Sequence, residues 1–396
     1  MQIFEKELVI SSKYYKEILK ILKCQSRLIG GCVRDAMLGQ SNIDIDIVTS
    51  LLPDQVTAIL AKYNIKVIPT GIKFGTVTAI FHDEKFEITT LRKDISFTGR
   101  HAEVKYGVDF AEDAARRDFT INALSYCPFE HKIYDYFGGI ADLAESKVKF
   151  IGDPHTRIKE DFLRILRFFR FSAYYAKELD PSSLRACMDS RDGLKTLSKE
   201  RIKWEMDKLI ISKNAHYILN EMSEAGILPI IFPVKYFDQV SFMKSIDFAQ
   251  RINFILDRTS LYVLLFYGSS QKNLIDLKFS NQESVKITSI LNFVDKVIPD
   301  NINFCLKRIW LEQIDYIEYI VALVGTNKID PIKAIEFIEK YSKKLRENFP
   351  ISGNHLLELG IQGARLGEII KSLKNLWIES DFILDKDQLL ERIEKK

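Results

Sequence analysis

Three acidic residues and several arginines carry the chemistry of this sequence. In Ile43-Asp44-Ile45-Asp46-Ile47 apolar and acidic residues alternate with period two, so a strand would turn the isoleucines to one face and both aspartates to the other. Carboxylates two apart on a strand stand about 7 Å from each other with parallel side chains. Such a pair can bracket hard cations, and Mg²⁺ is commonly held by one or two carboxylates plus substrate phosphates. Lys85-Phe86-Glu87-Ile88-Thr89 repeats the alternation. If that strand neighbours the first, Glu87 becomes a third acid on the same face. The competing reading is a solvent-facing strand edge with scattered acids.

Gly30-Gly31 lies between the apolar Leu28-Ile29 and a helical stretch from Cys32 to Leu38 that ends at Gly39. Free backbone N–H groups at such a turn favour phosphate. Further on, Arg116-Arg117-Asp118-Phe119-Thr120-Ile121-Asn122-Ala123 offers two adjacent guanidinium groups for triphosphate oxygens. Asp118 and Asn122, four apart, would share a helix face and could fix a ribose or order the site. A solvated basic surface is the alternative for the arginine pair.

In Glu160-Asp161-Phe162-Leu163-Arg164-Ile165-Leu166-Arg167, Asp161 and Arg164 are expected on one helix, three apart on one face. A carboxylate and a guanidinium together complement an exocyclic amine beside a ring acceptor, the edge shared by cytosine and adenine. Uracil and guanine mismatch that pair, at roughly 1–3 kcal/mol for each polar group left unpaired. The alternative is an intrahelical ion pair worth about 0.2–0.5 kcal/mol.

Gly30-Gly31-Cys32-Val33-Arg34-Asp35 followed by Asp44-Ile45-Asp46-Ile47-Val48-Thr49 resembles the signature of class II CCA-adding enzymes and bacterial poly(A) polymerases, within the polymerase-β-like nucleotidyltransferases. The R-R-D-x-x-x-N-A and E-D-x-x-R-x-L-R runs, and Ser198-Lys199-Glu200-Arg201-Ile202-Lys203-Trp204-Glu205, resemble later motifs of that family over residues 28 to 206. The resemblance implies two-metal phosphoryl transfer at Asp44 and Asp46 with Glu87 assisting, one Mg²⁺ activating an RNA 3′-hydroxyl and the other the departing pyrophosphate. It further implies phosphate handling by Gly30, Gly31, Arg34, Arg116 and Arg117, and a protein template for CTP and ATP at Asp161, Arg164 and Arg167. The expected product is C, C and A on tRNA 3′ ends. A poly(A) polymerase, an enzyme adding only the terminal A, and a non-catalytic RNA-binding module are the competitors. Thr98-Gly99-Arg100-His101-Ala102-Glu103 falls where CCA-adding enzymes carry a flexible loop, with a plain β-connection as the alternative.

These residues need elements to hold them. The first 150 residues alternate β-type runs with turns: a strand over 43–49, a helix over 53–63, and strands over 76–81 and 85–91 joined by a hairpin at His82-Asp83-Glu84. That turn also contains an H-D dipeptide, the mark of a phosphohydrolase domain in some CCA-adding enzymes; with no second histidine cluster it reads as a turn. Asp135 to Leu143 reads as a structural junction. From about Thr156 helical spacing dominates, over 157–175 and 199–211 in particular. Phe168, Phe169 and Phe171 read as core. The fold class is therefore α+β: a mixed α/β nucleotidyltransferase head (1–150), then an all-α neck (151–215), body (216–330) and tail (331–396). The tail's Lys340, Lys343, Lys344 and Arg346 could meet tRNA phosphates or form a solvated face.

The 396 residues are 46% apolar with a net charge of +3, a balance that neither requires nor excludes a nucleic-acid partner. Five dispersed cysteines without a C-x-x-C pair suggest free thiols in a reducing compartment, and dispersed histidines exclude zinc-ligand spacing. An N-terminus without an apolar run or an arginine-rich, acid-poor composition leads us to expect a cytoplasmic protein without a stable protein partner or a membrane span.

Overall fold

The computed structural model describes residues 1–41, 44–98, 101–267, 278–313, 315–344 and 348–393. Ile43, Gly99, Arg100 and Arg346, named above, lie outside them. The strands are β1 (Gln2–Glu5), β2 (Ser26–Ile29), β3 (Ile45–Thr49), β4 (Lys66–Gly71), β5 (Thr76–Phe81), β6 (Glu84–Thr90), β7 (Arg92–Thr98), β8 (His101–Tyr106), β9 (Ser125–Cys127) and β10 (Lys132–Asp135). Among the described residues they form an eight-stranded sheet, β1-β10-β9-β2-β3-β6-β5-β4, and a separate pair, β7-β8.

The alternation read in the sequence sets the two faces of the large sheet. Ile45 and Ile47 of β3 and Phe86 and Ile88 of β6 enter a core with Ile18, Leu22, Val56 and Leu60, from the helices Tyr15–Leu22 and Pro53–Ala61. Val48 turns the other way, into a smaller cluster with Ile29 and Leu91. The strands β3 and β6 pair in parallel, with Asp46 opposite Glu87. Both acids therefore share the face opposite the helix-packed one, as the alternation requires. The hairpin between β5 and β6 turns at His82-Asp83, with His82 at φ 54° and its ring stacked 4.3 Å from that of Tyr14. On either side of Gly99-Arg100, in the stretch expected as a loop or β-connection, β7 and β8 pair antiparallel.

The chain divides into two compact units, Met1–Phe232 and Pro233–Lys396. Beyond its sheet the first unit is helical. One expectation is corrected there. The helix expected over 157–175 is two helices, Pro154–Glu160 and Leu163–Tyr175, broken at Asp161, whose backbone is extended (φ −156°, ψ 110°). Phe168 and Phe169 are fully buried, as expected of core residues. Helix Lys199–Ile210 packs along Leu163–Tyr175. The second unit is all helical among its described residues, running from Gln239–Arg251 to Lys386–Leu390. In no described region is a helix long and apolar enough to cross a membrane.

Candidate active site

The site begins at Gly30. Its φ of +73° is a conformation that side chains rarely adopt, and an added Cβ would lie 3.5 Å from Arg117 Nη1. Gly30 caps the helix Gly31–Met37, which buries Arg34 and Asp35. The Arg34 guanidinium is held by both Asp35 oxygens (2.8 and 3.1 Å), the Asn122 side-chain oxygen and the Tyr175 hydroxyl (2.7 Å), and stacks 4.1 Å from the Tyr175 ring. Arg34 thus ties the glycine turn to the R-R-D segment while facing the cleft.

Asp44 precedes β3, exposed, and Asp46 is half-buried on it. Burial, then the neighbouring charge of Glu87, raise the Asp46 carboxyl from 3.8 to about 6; Asp44 adds to the rise, and Arg117 and Arg34 oppose it. Three carboxylates crowd here with too little positive charge beside them. A hard divalent cation relieves that imbalance, and the all-oxygen donor set suits one. Among the described residues the acids do not converge into a cluster of three that could by itself hold a metal ion. A cation held here by two or three of these carboxylates would need substrate phosphates and water to complete its coordination, as hard-cation sites commonly arrange.

Across the cleft, Arg116 (2.8 Å) and Arg117 (3.3 Å) both pair with the buried Asp113. The Arg116 and Arg117 carbonyls accept from Arg157, which pins this segment to the helical region. Asp118 is buried; it accepts from Arg167 Nε (2.7 Å), Asn122 Nδ2 (3.0 Å) and the Phe119 amide (2.9 Å). Burial pushes the Asp118 carboxyl up, but Arg167 and these donors overcome it and hold it at about 2. The sequence expectation that Asp118 and Asn122 meet holds, through a turn and a 3₁₀ segment (Thr120–Asn122) rather than an α-helix.

Asp161 and Arg164 both line the cleft, but not as an intrahelical pair. Asp161 sits at the break between helices. Its carboxylate accepts from Arg201 (2.6 Å) and the Leu163 amide (3.1 Å). Arg164 instead pairs with Glu160 and donates to the Arg157 carbonyl (2.8 Å). Arg167 and Arg170 share the fully buried Glu205, at 3.6 and 2.5 Å. Phe171, buried as expected of core, also borders the cleft, with the guanidinium of Arg170 4.1 Å from its ring.

Together these groups enclose a cavity of about 580 Å³ whose wall carries seven arginines and Lys208 against four aspartates, a surplus of positive charge suited to a triphosphate. All the expected site residues border it except Glu87, which stands opposite Asp46 on the neighbouring strand. Asp113, Arg170, Tyr175 and Lys208 are not among the residues that the sequence singles out, and Arg201 and Glu205 stand in the Ser198–Glu205 motif without an assigned contact. Asp113 was readable, since residues three and four before an arginine pair face it on a helix.

Residues 26–149 match the family model of the poly A polymerase head domain, and residues 178–235 that of the probable RNA and SrmB-binding site of polymerase A. The mitochondrial CCA tRNA nucleotidyltransferase 1 of Homo sapiens is 31% identical over 392 residues, spanning 93% of this chain and 86% of that one. The chain belongs to the CCA-adding tRNA nucleotidyltransferase family. A CCA-adding enzyme of Staphylococcus haemolyticus is 29% identical over 90% of the chain. The fold matches the CCA-adding enzyme of Bacillus stearothermophilus in complex with CTP (TM-score 0.73, 24% identity, 96% of each chain). It also matches the Thermotoga maritima CCA-adding enzyme complexed with tRNA (TM-score 0.71, 19% identity, 100% of each). A CCA-adding family member is a nucleotidyltransferase, and the family requires a divalent metal.

Proposed function

We propose that this protein adds C, C and A to tRNA 3′ ends from CTP and ATP, without a nucleic-acid template and with release of pyrophosphate. The observation that carries the reading is the single cleft in which Asp44 and Asp46 stand across from the arginine wall, with Asp161 and Arg164 beside it. Asp44 and Asp46, assisted by Glu87, would hold Mg²⁺. Bound there, the metal supplies charge neutralisation for the attacking and departing oxygens. Gly30, Gly31, Arg34, Arg116 and Arg117 orient the triphosphate, Arg116 and Arg117 being fixed in direction by Asp113. Asp118, Asn122 and Arg167 order that wall.

Asp161 and Arg164 read the base. A carboxylate offers about four acceptor positions, so Asp161 can keep Arg201 and the Leu163 amide and still accept from an exocyclic amine. Arg164 supplies a donor to the ring nitrogen beside it. Uracil and guanine present the opposite pattern, and neither group finds a matching partner on the base. We assign the head to residues 1–150, the neck to 151–215, the body to 216–330 and the tail, contacting tRNA, to 331–396. The described cysteines Cys32, Cys127, Cys187 and Cys305 are free, which fits a reducing compartment, and we take it to be the cytoplasm.

The test is incorporation. Purified protein with Mg²⁺, CTP, ATP and a tRNA transcript ending before CCA should yield the three-nucleotide extension. Addition of AMP alone, or of none, defeats the reading.

A further inference from the structure

The cleft wall is built from two helices, and both continue their cleft-facing stripe past its end. On Leu163–Tyr175, Arg167, Arg170 and Phe171 border the cleft, and the next position along that face is Tyr174, 46% exposed. On Lys199–Ile210, Arg201 and Lys208 border it, and between them on the same side is Trp204, 54% exposed. These residues touch. The Tyr174 hydroxyl donates to the Lys208 carbonyl at 2.8 Å, and the Lys208 ammonium sits 3.5 Å from the centroid of the Trp204 ring. Lys208 lines the same cleft as Asp44 and Asp46.

Trp204 and Tyr174 thus leave about half of their surfaces open on two packed helices that wall the cleft. Aromatic plates of this kind take unpaired nucleobases, whose π-faces stack whatever the base, and an ammonium beside them suits the connecting phosphate. The nucleotide's own base and phosphates are already served, by Asp161 and Arg164 and by the arginine wall. What lacks a holder is the strand that must bring its 3′-hydroxyl to Asp44 and Asp46. Resting on the function proposed above, we propose that Trp204 and Tyr174, each in contact with Lys208, form the stacking platform for the unpaired 3′ end of the RNA primer.

The tryptophans make this directly measurable. Trp310 and Trp377 are each 2% exposed, so Trp204 alone can report contact with a base. A tRNA transcript ending before CCA, added without CTP, should quench the protein's tryptophan emission, and Trp204→Phe should abolish that quench. Trp204→Ala should raise KM for the transcript about tenfold while KM for CTP stays within twofold, and Trp204→Phe should restore most of the loss. An unquenched wild type, an unchanged transcript KM in Trp204→Ala, or equal rises in both KM values would each overturn the platform. If Trp204→Ala does not fold, the wild-type quench and its loss in Trp204→Phe decide. A quenched wild type that incorporates no CMP would defeat the function proposed above and leave the platform standing.

Discussion

At Asp46 function and stability pull apart. Its carboxyl is raised to about 6 by burial and by Glu87, so the folded state binds a proton more readily than the unfolded chain. The sign follows. An acid with a raised folded pKa costs stability once pH climbs past its unfolded value, and the full cost is present above about 6. Asp46→Asn removes that charge. In EDTA at pH 7.5 we expect the variant to melt a few degrees higher than wild type, on the order of 1–2 kcal/mol, while CMP incorporation with Mg²⁺ falls at least a thousandfold. A variant that melts lower, or that keeps its activity, would show that Asp46 is ordinary scaffold. Asp161 belongs to the same scale. Asp161→Ala should narrow the preference for CTP over UTP at least tenfold, read as the ratio of kcat/KM values. The three acids were legible because two-residue alternation fixes a side chain's face, whatever the rest of the chain does. Arg164 was legible as a residue and not as a contact: its partner is Glu160, one turn back, and not Asp161.

That error arose at the scale of elements. Apolar spacing runs unbroken from Arg157 to Tyr175, because the helices Pro154–Glu160 and Leu163–Tyr175 both bury one side against the same core. Periodicity reports burial, and the break at Asp161 leaves burial intact. The signal for the break is tertiary: Arg201, forty residues away, takes the carboxylate. Glu205 was hidden for the same reason. One buried acid satisfying Arg170 and lying beside Arg167 can be found only once the two helices are seen side by side. The order of strands is a comparable case. The sequence foresaw Glu87 as a third acid if its strand adjoined Asp46; the parallel pairing of β3 and β6 that brings this about is set by the crossover through Pro53–Ala61. Glu205 therefore carries the element-scale prediction. Glu205→Ala strands Arg170, leaves Arg167 with Asp118 alone, and should cost about 3 kcal/mol of stability and raise KM for CTP. Glu205→Gln, which keeps a hydrogen-bond acceptor, should fall between. If Glu205→Ala leaves both quantities unchanged, the two helices are aligned by apolar packing alone.

Over the whole molecule, the division at Phe232 and Pro233 raises the question of whether stability is shared. The second unit has a polar clasp of its own. After the helix Ala364–Glu379 the chain turns through Asp381 and Phe382, both in the left-handed region. The Asp381 carboxylate accepts from the Tyr341 hydroxyl and from Lys340 (2.9 Å), with Lys307 at 3.4 Å, while Lys344 donates to its carbonyl (2.9 Å). Phe382 meanwhile packs against Trp310 and Trp377. Two of the lysines considered for tRNA, Lys340 and Lys344, are thus committed to this clasp. Burial would raise the Asp381 carboxyl, but Tyr341 and the lysines more than offset it and hold it well below its usual value. A depressed carboxyl contributes stability above its unfolded pKa, and loses it as pH falls below about 4. Asp381→Ala should therefore lower the melting of the second unit's helices by about 1–2 kcal/mol at pH 7, after allowance for solvent at a partly exposed group, and the gap to wild type should narrow towards pH 3. Hydrogen exchange distinguishes the two ways the molecule could be built. If the units unfold separately, amides in Ile302–Glu312 and Pro331–Ser342 lose protection in the variant while those of β3 and β6 keep theirs. Equal loss in both would mean a single cooperative structure, in which a clasp far along the chain stabilises the sheet that carries the catalytic acids.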